Sequence, residues 1–329
     1  MAAVASLLAV ALLGAGCATG DSSAPQGQSA TLVLDFTPNA IHAGIYSALA
    51  RDFDQGEGIK LHVVAPSAST DSIKLLETGR ADFAILDIHD LAIAREHHRD
   101  IVGIMAIVER PLAAVIATPQ IRSPRELQGK TVGVTGVPSD TAVLRSILAG
   151  AGGDPAKVRT VTIGFNAVAA LLAHRVAAAT AFWNDEGVTL TRKDPGYHVF
   201  RVDSFGAPSY PELVLSATRA SLNEDPELAR AVVRTLVRGY GVTLTDPEGS
   251  AANLEQLVPG LDPKLVAAQL SAEEPAFLAS DGNFGDLTLP SLEAWARWEA
   301  RFGIVKTPPD VTAMFDPRFV AGTASLVGS

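Results

Sequence analysis

The chain has 329 residues, 47% of them apolar, a formal net charge of −10 and a single cysteine, Cys17. That length exceeds what one hydrophobic core comfortably fills and suits two lobes. The acidic balance argues against nucleic acid or an anionic membrane surface as partner, and one cysteine excludes internal disulfides and multi-thiolate metal sites.

Residues 4–16 form an uncharged apolar run that ends at Cys17. It is shorter than the ~20 apolar residues that span a bilayer. Small residues before a cysteine are the pattern of a lipoprotein signal peptide. The expected leader is residues 1–16, Cys17 takes the lipid, and residues 17–30 form a polar tether. The competing reading is an ordinary cleaved signal with an incidental cysteine. Either way the chain is exported.

Beyond the tether, residues 31–34 read as a buried strand that runs into the loop Asp35-Phe36-Thr37-Pro38-Asn39 and a helix over 42–53. A strand at 61–64, a helix carrying Ile73, Leu75 and Leu76, and a strand at 83–86 follow. This alternation favours a mainly parallel sheet covered by helices. An extended apolar stretch at 112–117 leads to Ser123-Pro124-Arg125-Glu126, which has capping-box spacing with Pro at the first helical position. The alternation then restarts with strands at 131–134, 158–163 and 177–182 and helices at 141–149 and 166–174. The blocks 75–86 and 171–182 resemble each other, which implies two lobes built alike. A second extended crossover at 212–217 precedes helices that start at Pro226, Pro263 and Pro290.

Two crossovers mean that the chain leaves one lobe, builds another and returns. The expected lobes are residues 31–115 with 216–329, and residues 116–215. A double linkage of this kind makes a hinge, and the cleft between the lobes is the default ligand site.

Four loops follow parallel strands and are expected to converge on that cleft. Asp35 to His42 offers a carboxylate, an aromatic face (Phe36), an amide (Asn39) and an imidazole (His42). Read structurally, Asn39 caps a helix and His42 is a satisfied surface group. Asp87-Ile88-His89-Asp90 offers Asp87 or His89 as a contact, with Asp90 as an alternative N-cap. Gly164-Phe165-Asn166 is a glycine loop entering a helix, a common feature that is weak alone. Phe182 to Gly187 provides Trp183 for stacking and Asn184, Asp185 and Glu186 as acceptors; its plain alternative is a solvated turn. Tyr210 is a further candidate beside the hinge. The seven histidines show no metal-ligand spacing, and no nucleophile elbow, P-loop or dinucleotide fingerprint occurs. No metal or cofactor is expected.

Asp35 through Gly44, Gly79-Arg80-Ala81-Asp82-Phe83-Ala84, Gly129 through Gly133, Gly164-Phe165-Asn166 and Phe182 through Gly187 resemble the solute-binding proteins of ABC importers. The resembling branch is tied to uptake and synthesis of thiamine-pyrimidine precursors. The resemblance is good over residues 31–220 and loose beyond. It implies an α/β, two-lobed periplasmic-binding-protein type II fold with a double crossover hinge. It also implies a monomeric receptor that hands a small ligand to a membrane permease. Carried over residue by residue, the loop Asp35–His42, Asp87, Asn166, Trp183 and Glu186 become pocket residues. The implied ligand is a formylated aminopyrimidine. Its flat ring suits Phe36, Trp183 or Tyr210, and its amine suits Glu186 or Asp87. The four loops hold no clustered Arg or Lys, which argues against sulfonate, nitrate or phosphate. Phe36 and Ala178 depart from the resembling pattern and leave room for another ligand, such as another pyrimidine, a flavin fragment or a different heterocycle; riboflavin or a sulfonate is the alternative cargo for the same receptor class.

Pyrimidine synthases with the same fold consume pyridoxal phosphate through a lysine, a histidine and a cysteine-rich motif. His89 stands at the matching histidine, but no Lys lies between Lys74 and Lys130, and one cysteine cannot form the motif. A Schiff base needs an amine, so a binding protein is expected rather than an enzyme.

Overall fold

The computed structural model describes residues 27–68, 71–279 and 282–323. The leader expected over residues 1–16, and Cys17, lie outside them. The strands are β1 (Gln28–Val33), β2 (Ile59–Val64), β3 (Phe83–Asp87), β4 (Ile101–Val108), β5 (Ala113–Ala117), β6 (Thr131–Val134), β7 (Arg159–Thr162), β8 (Ala178–Phe182), β9 (His198–Arg201) and β10 (Leu213–Thr218). The helices are α1 (Ala43–Ala50), α2 (Phe53–Gly56), α3 (Asp71–Glu77), α4 (Ile88–Glu96), α5 (Pro138–Gly150), α6 (Ala167–Leu172) and α7 (Val188–Lys193). After β10 come α8 (Arg219–Glu224), α9 (Pro226–Thr245), α10 (Pro247–Leu257), α11 (Pro263–Glu273), α12 (Leu289–Phe302) and α13 (Val311–Met314).

The strands form two sheets of the same design. The first has the order β2-β1-β3-β10-β4 and the second β7-β6-β8-β5-β9. In each, the second strand of the row pairs in parallel with its two neighbours: β1 with β2 and β3, β6 with β7 and β8. The fourth strand of each row runs antiparallel to both flanking strands. The sheets are therefore mixed rather than mainly parallel. The antiparallel member, β10 or β5, is the strand that crosses between lobes, so no helix has to carry it back to the start of the sheet. The resembling blocks at 75–86 and 171–182 correspond to α3–β3 and α6–β8, equivalent positions in the two sheets.

Several local expectations shift. β1 starts at Gln28, inside the span assigned to the tether, because its first residues already pair with β2 from Ile59 onward. The helix expected over 42–53 is divided: a 3₁₀ turn at Ala40–His42 leads into α1, and left-handed Asp52 (φ 55°) separates α1 from α2. Ser123 caps only a 3₁₀ turn, Pro124–Leu127. β4, α7, α8, β9, α10 and α13 have no counterpart in the sequence reading. The chain passes to the second sheet between β4 and β5 and returns before β10, so the boundaries placed after residues 115 and 215 fall inside those two strands.

At the hinge the two crossings are tied together. The buried Glu212 carboxylate accepts from the backbone N–H groups of Leu112 at 2.5 Å and Ala113 at 3.0 Å. The C-terminal helices pack mostly on the first lobe. Gly239 of α9 lies so close to α1 that a Cβ there would sit 2.0 Å from the Gly44 carbonyl oxygen. The next residue, Tyr240, donates its hydroxyl to the Ile41 carbonyl at 2.8 Å and so fixes the base of the loop after β1.

Candidate functional site

All four loops reach one cavity of about 110 Å³ between the lobes. After β1, Asp35, Phe36 and Asn39 line it, while His42 is buried behind them. The Asn39 backbone N–H donates to His42 Nδ1 at 3.2 Å, so Nδ1 is the acceptor and Nε2 carries the proton. Nε2 then donates to Asp35 Oδ1 at 2.9 Å. His42 is thus the residue that orients Asp35, not a wall of the cavity. Asn39 caps the 3₁₀ turn through Oδ1, and its Nδ2 reaches across to Asp185 Oδ2 at 3.3 Å.

After β3, Asp87 is the N-cap of α4, accepting from His89 N at 2.7 Å; Asp90 is therefore free of that task. Asp90 faces the second lobe and accepts from Ser139 Oγ at 3.0 Å. His89 lines the cavity but binds away from it. Its Nδ1 meets Glu299 of α12, and its Nε2 lies 3.1 Å from the Tyr210 hydroxyl and 3.6 Å from Glu212 Oε1. Tyr210 is fully buried in this cluster and does not reach the cavity. The Asp87, His89 and Glu212 donor atoms lie within 4.8 Å of one another, a spacing that could hold a metal ion. Burial alone would lower the His89 pKa, but Glu299, Asp87 and Glu212 outweigh it and push it up to about 10. That shift favours the imidazolium, which would offer a metal no lone pair; the Trp295 indole N–H also approaches Nδ1, at 3.2 Å.

After β7, Gly164 (φ 57°) makes a left-handed bend that a side chain would strain, and it turns Phe165 toward the cavity. Phe165 meets Phe36 edge-on, ring centroids 4.5 Å apart, and the pair closes the cavity from opposite lobes. Asn166, the candidate in this loop, is exposed and donates to the Ile163 carbonyl at 2.9 Å instead.

After β8 the chain makes one π-helical turn, Trp183–Gly187. Such turns set successive side chains at an angle that an α-helix cannot. Here Asn184, Asp185 and Glu186 all face the cavity, while Trp183 turns to the hinge. The Trp183 indole N–H donates to the Pro111 carbonyl at 2.9 Å, and Arg201 covers the ring at 4.2 Å. Trp183 thus packs at the hinge and is not among the residues that line the cavity, whereas Phe165 is. Asn184 Nδ2 donates to buried Glu273 Oε2 at 2.8 Å, and Gln269 donates to Asp185. Glu186 Oε2 accepts from Phe182 N at 3.0 Å.

Beyond the candidates read from sequence, Phe165, Ser139 and Asp140 are among the residues that line the cavity. The last two follow β6 at its carboxyl end, the position that selected the other loops. The Asp140 carboxylate accepts from Thr135 N at 2.5 Å and Thr135 Oγ1 at 2.6 Å. Burial raises the pKa of Asp87 and Asp140, and brings Asp90 to about 7, Asp185 to about 6 and Glu186 to about 8. The neighbouring carboxylate Asp185 adds to the rise at Glu186.

The model of the NMT1/THI5-like family matches residues 39–250. The formylaminopyrimidine-binding protein of Halalkalibacterium halodurans is 30% identical over 249 residues, 74% of this chain and 76% of that protein. The riboflavin-binding protein RibY of Chloroflexus aurantiacus is 26% identical over 91% of this chain and 88% of its own. The 4-amino-5-hydroxymethyl-2-methylpyrimidine phosphate synthase of Legionella pneumophila is 25% identical over 70% of this chain and 74% of its own. The alkanesulfonate-binding protein SsuA of Xanthomonas axonopodis pv. citri superposes with a TM-score of 0.71 at 17% identity, covering 88% of this chain and 99% of that one. The two-lobed fold is that of the periplasmic binding proteins.

Proposed function

Because this chain belongs to the NMT1/THI5-like family, we propose that it is an extracytoplasmic solute-binding receptor of an ABC importer. It captures a small planar nitrogen heterocycle between its lobes and releases it unaltered to a membrane permease. The ligand is of the aminopyrimidine class, and N-formyl-4-amino-5-aminomethyl-2-methylpyrimidine is the first compound to try. The receptor works as a monomer, held at the outer face of the membrane by a lipid on Cys17.

One observation carries the reading: four loops from equivalent ends of two matching sheets enclose a cavity with two phenyl rings and a wall of acceptors. The volume of about 110 Å³ holds roughly eight waters at the 10–15 Å³ that each requires, which suits one substituted ring. A riboflavin ligand, suggested by the RibY relative, would need the lobes to stay further apart. A synthase role fits the cavity poorly. Its lining has no lysine to form a Schiff base, and His89, which stands at the synthases' histidine, is committed to Glu299 and Tyr210.

Titration calorimetry with the formylated aminopyrimidine and its unformylated parent tests the proposal. Binding of either with a dissociation constant below ~100 μM, a free energy of about −5.5 kcal/mol, is expected. Absence of binding by both defeats it. A thermal-shift panel that includes riboflavin and an alkanesulfonate sorts the competing ligands, since a ligand at 100 times its dissociation constant stabilises by about 2.7 kcal/mol.

A further inference from the structure

Six carboxyl groups line the cavity: Asp35, Asp87 and Asp90 from the first lobe, and Asp140, Asp185 and Glu186 from the second. No Lys or Arg is among the lining residues. The imidazoles nearby are already engaged, His42 with Asp35 and His89 with Glu299 and Tyr210. Asn184, which lines the same wall and is only 1% exposed, keeps its Oδ1 without a hydrogen-bond partner. Its amide nitrogen is held by Glu273, so the oxygen is an acceptor waiting for a donor.

Closure brings these two acidic half-walls to face each other across the cavity. At an effective dielectric constant of about 20, two like charges 4 Å apart repel by about 4 kcal/mol. A neutral ring with as many acceptors as donors relieves little of this. A ligand that brings positive charge and N–H donors turns the repulsion into a clamp.

On the receptor reading above, we infer that the cavity is built for a cation: a single heteroaromatic ring bearing a protonated amine. Carboxylates of both lobes hold the ammonium, and Phe36 and Phe165 cover the ring. Burial lifts Glu186 to about 8 and Asp90 to about 7, so the empty closed cavity retains protons that an arriving ammonium displaces. The titratable groups directly behind the wall are already paired. His42 backs Asp35, His89 backs Asp87 with Glu212 and Glu299 around it, and Glu273 stands behind Asn184.

The test compares 4-amino-5-aminomethyl-2-methylpyrimidine, an ammonium at neutral pH, with its N-formyl derivative, which is neutral on that arm. Calorimetry at pH 7 is expected to give at least ~10-fold tighter binding of the free amine, as for one buried charged hydrogen bond. Titration in two buffers of different ionisation enthalpy is expected to show proton release with the amine. Glu186→Gln and, from the other lobe, Asp90→Asn are each expected to narrow the preference to below about threefold. Equal or tighter binding of the formyl derivative overturns this inference and leaves the receptor reading standing. Binding of neither compound overturns both.

Discussion

Glu212 joins the two hinge crossings and also serves as a counter-ion to His89, so its charge is the most exacting feature of the hinge. Glu212→Gln keeps the shape and removes that charge. The carboxylate accepts from Leu112 N and Ala113 N, and its second oxygen lies 3.6 Å from His89 Nε2. The glutamine amide turns an NH₂ toward either the two backbone donors or the imidazolium, and both arrangements set donor against donor. Two buried charge-assisted hydrogen bonds contribute about 1.5–3 kcal/mol each, and breaking one side of a buried ion cluster costs about 3–5 kcal/mol. At roughly 1.5 °C per kcal/mol for a chain of this size, the thermal midpoint falls by about 4–8 °C. Circular dichroism melting at pH 7 without ligand reads this directly. A surface control, Glu293→Gln, removes the exposed pair with Arg297 and shifts the midpoint by less than ~2 °C. If Glu212→Gln melts within about 2 °C of the parent, the hinge does not depend on that charge and the network argument fails.

The same groups fix the pH dependence. The carboxyl groups of Asp90, Asp185 and Glu186, at about 7, 6 and 8, and the imidazole of His89 at about 10 all titrate above their usual values in the folded chain. The folded state therefore binds protons more tightly than the unfolded one, and stability falls as pH rises. For the carboxyl groups the loss runs from their usual range near 4 up to about 8; for His89 it runs from about 6.5 to about 10. The ligand-free protein is expected to melt higher at pH 5.5 than at pH 8.5, and the reverse order refutes the assignment. Phe165→Ala opens the cavity and removes half of the edge-on aromatic pair that covers it; ligand affinity, read by calorimetry, is expected to drop by about 1–2 kcal/mol. Trp183→Phe deletes the indole bond to Pro111 and is expected to cost about 1–2 kcal/mol of stability in a melting experiment while aminopyrimidine affinity changes less than about threefold.

Much of this architecture can be read in the sequence, and the parts that cannot have physical causes. β6 is legible to the residue because the glycine at 129 and the loop from Gly136 bracket a short run of β-formers. β4 is not, because its residues are buried on both faces and no alternation marks them as strand. Asp35, Phe36, Asn39, Asp87, His89, Asn184 and Glu186 line the cavity as their loops suggest. Trp183 does not, because the π-helical turn decides which way each side chain points, and that register has no signature in composition. The partners of the buried polar groups are equally hidden: His89 meets Glu299 across 210 positions, and Asn184 meets Glu273 across 89.

The interleaving of strands has a consequence for how the molecule assembles. Every strand of the second sheet lies between Ala113 and Arg201, so that sheet can finish while the rest of the chain is still being made. The first sheet cannot, because β4 is joined to β3 only through β10, the last strand in the sequence. A nascent chain that stops short of Leu213 owns one whole half and one half split in two. The later half of the message thus completes the earlier half of the protein.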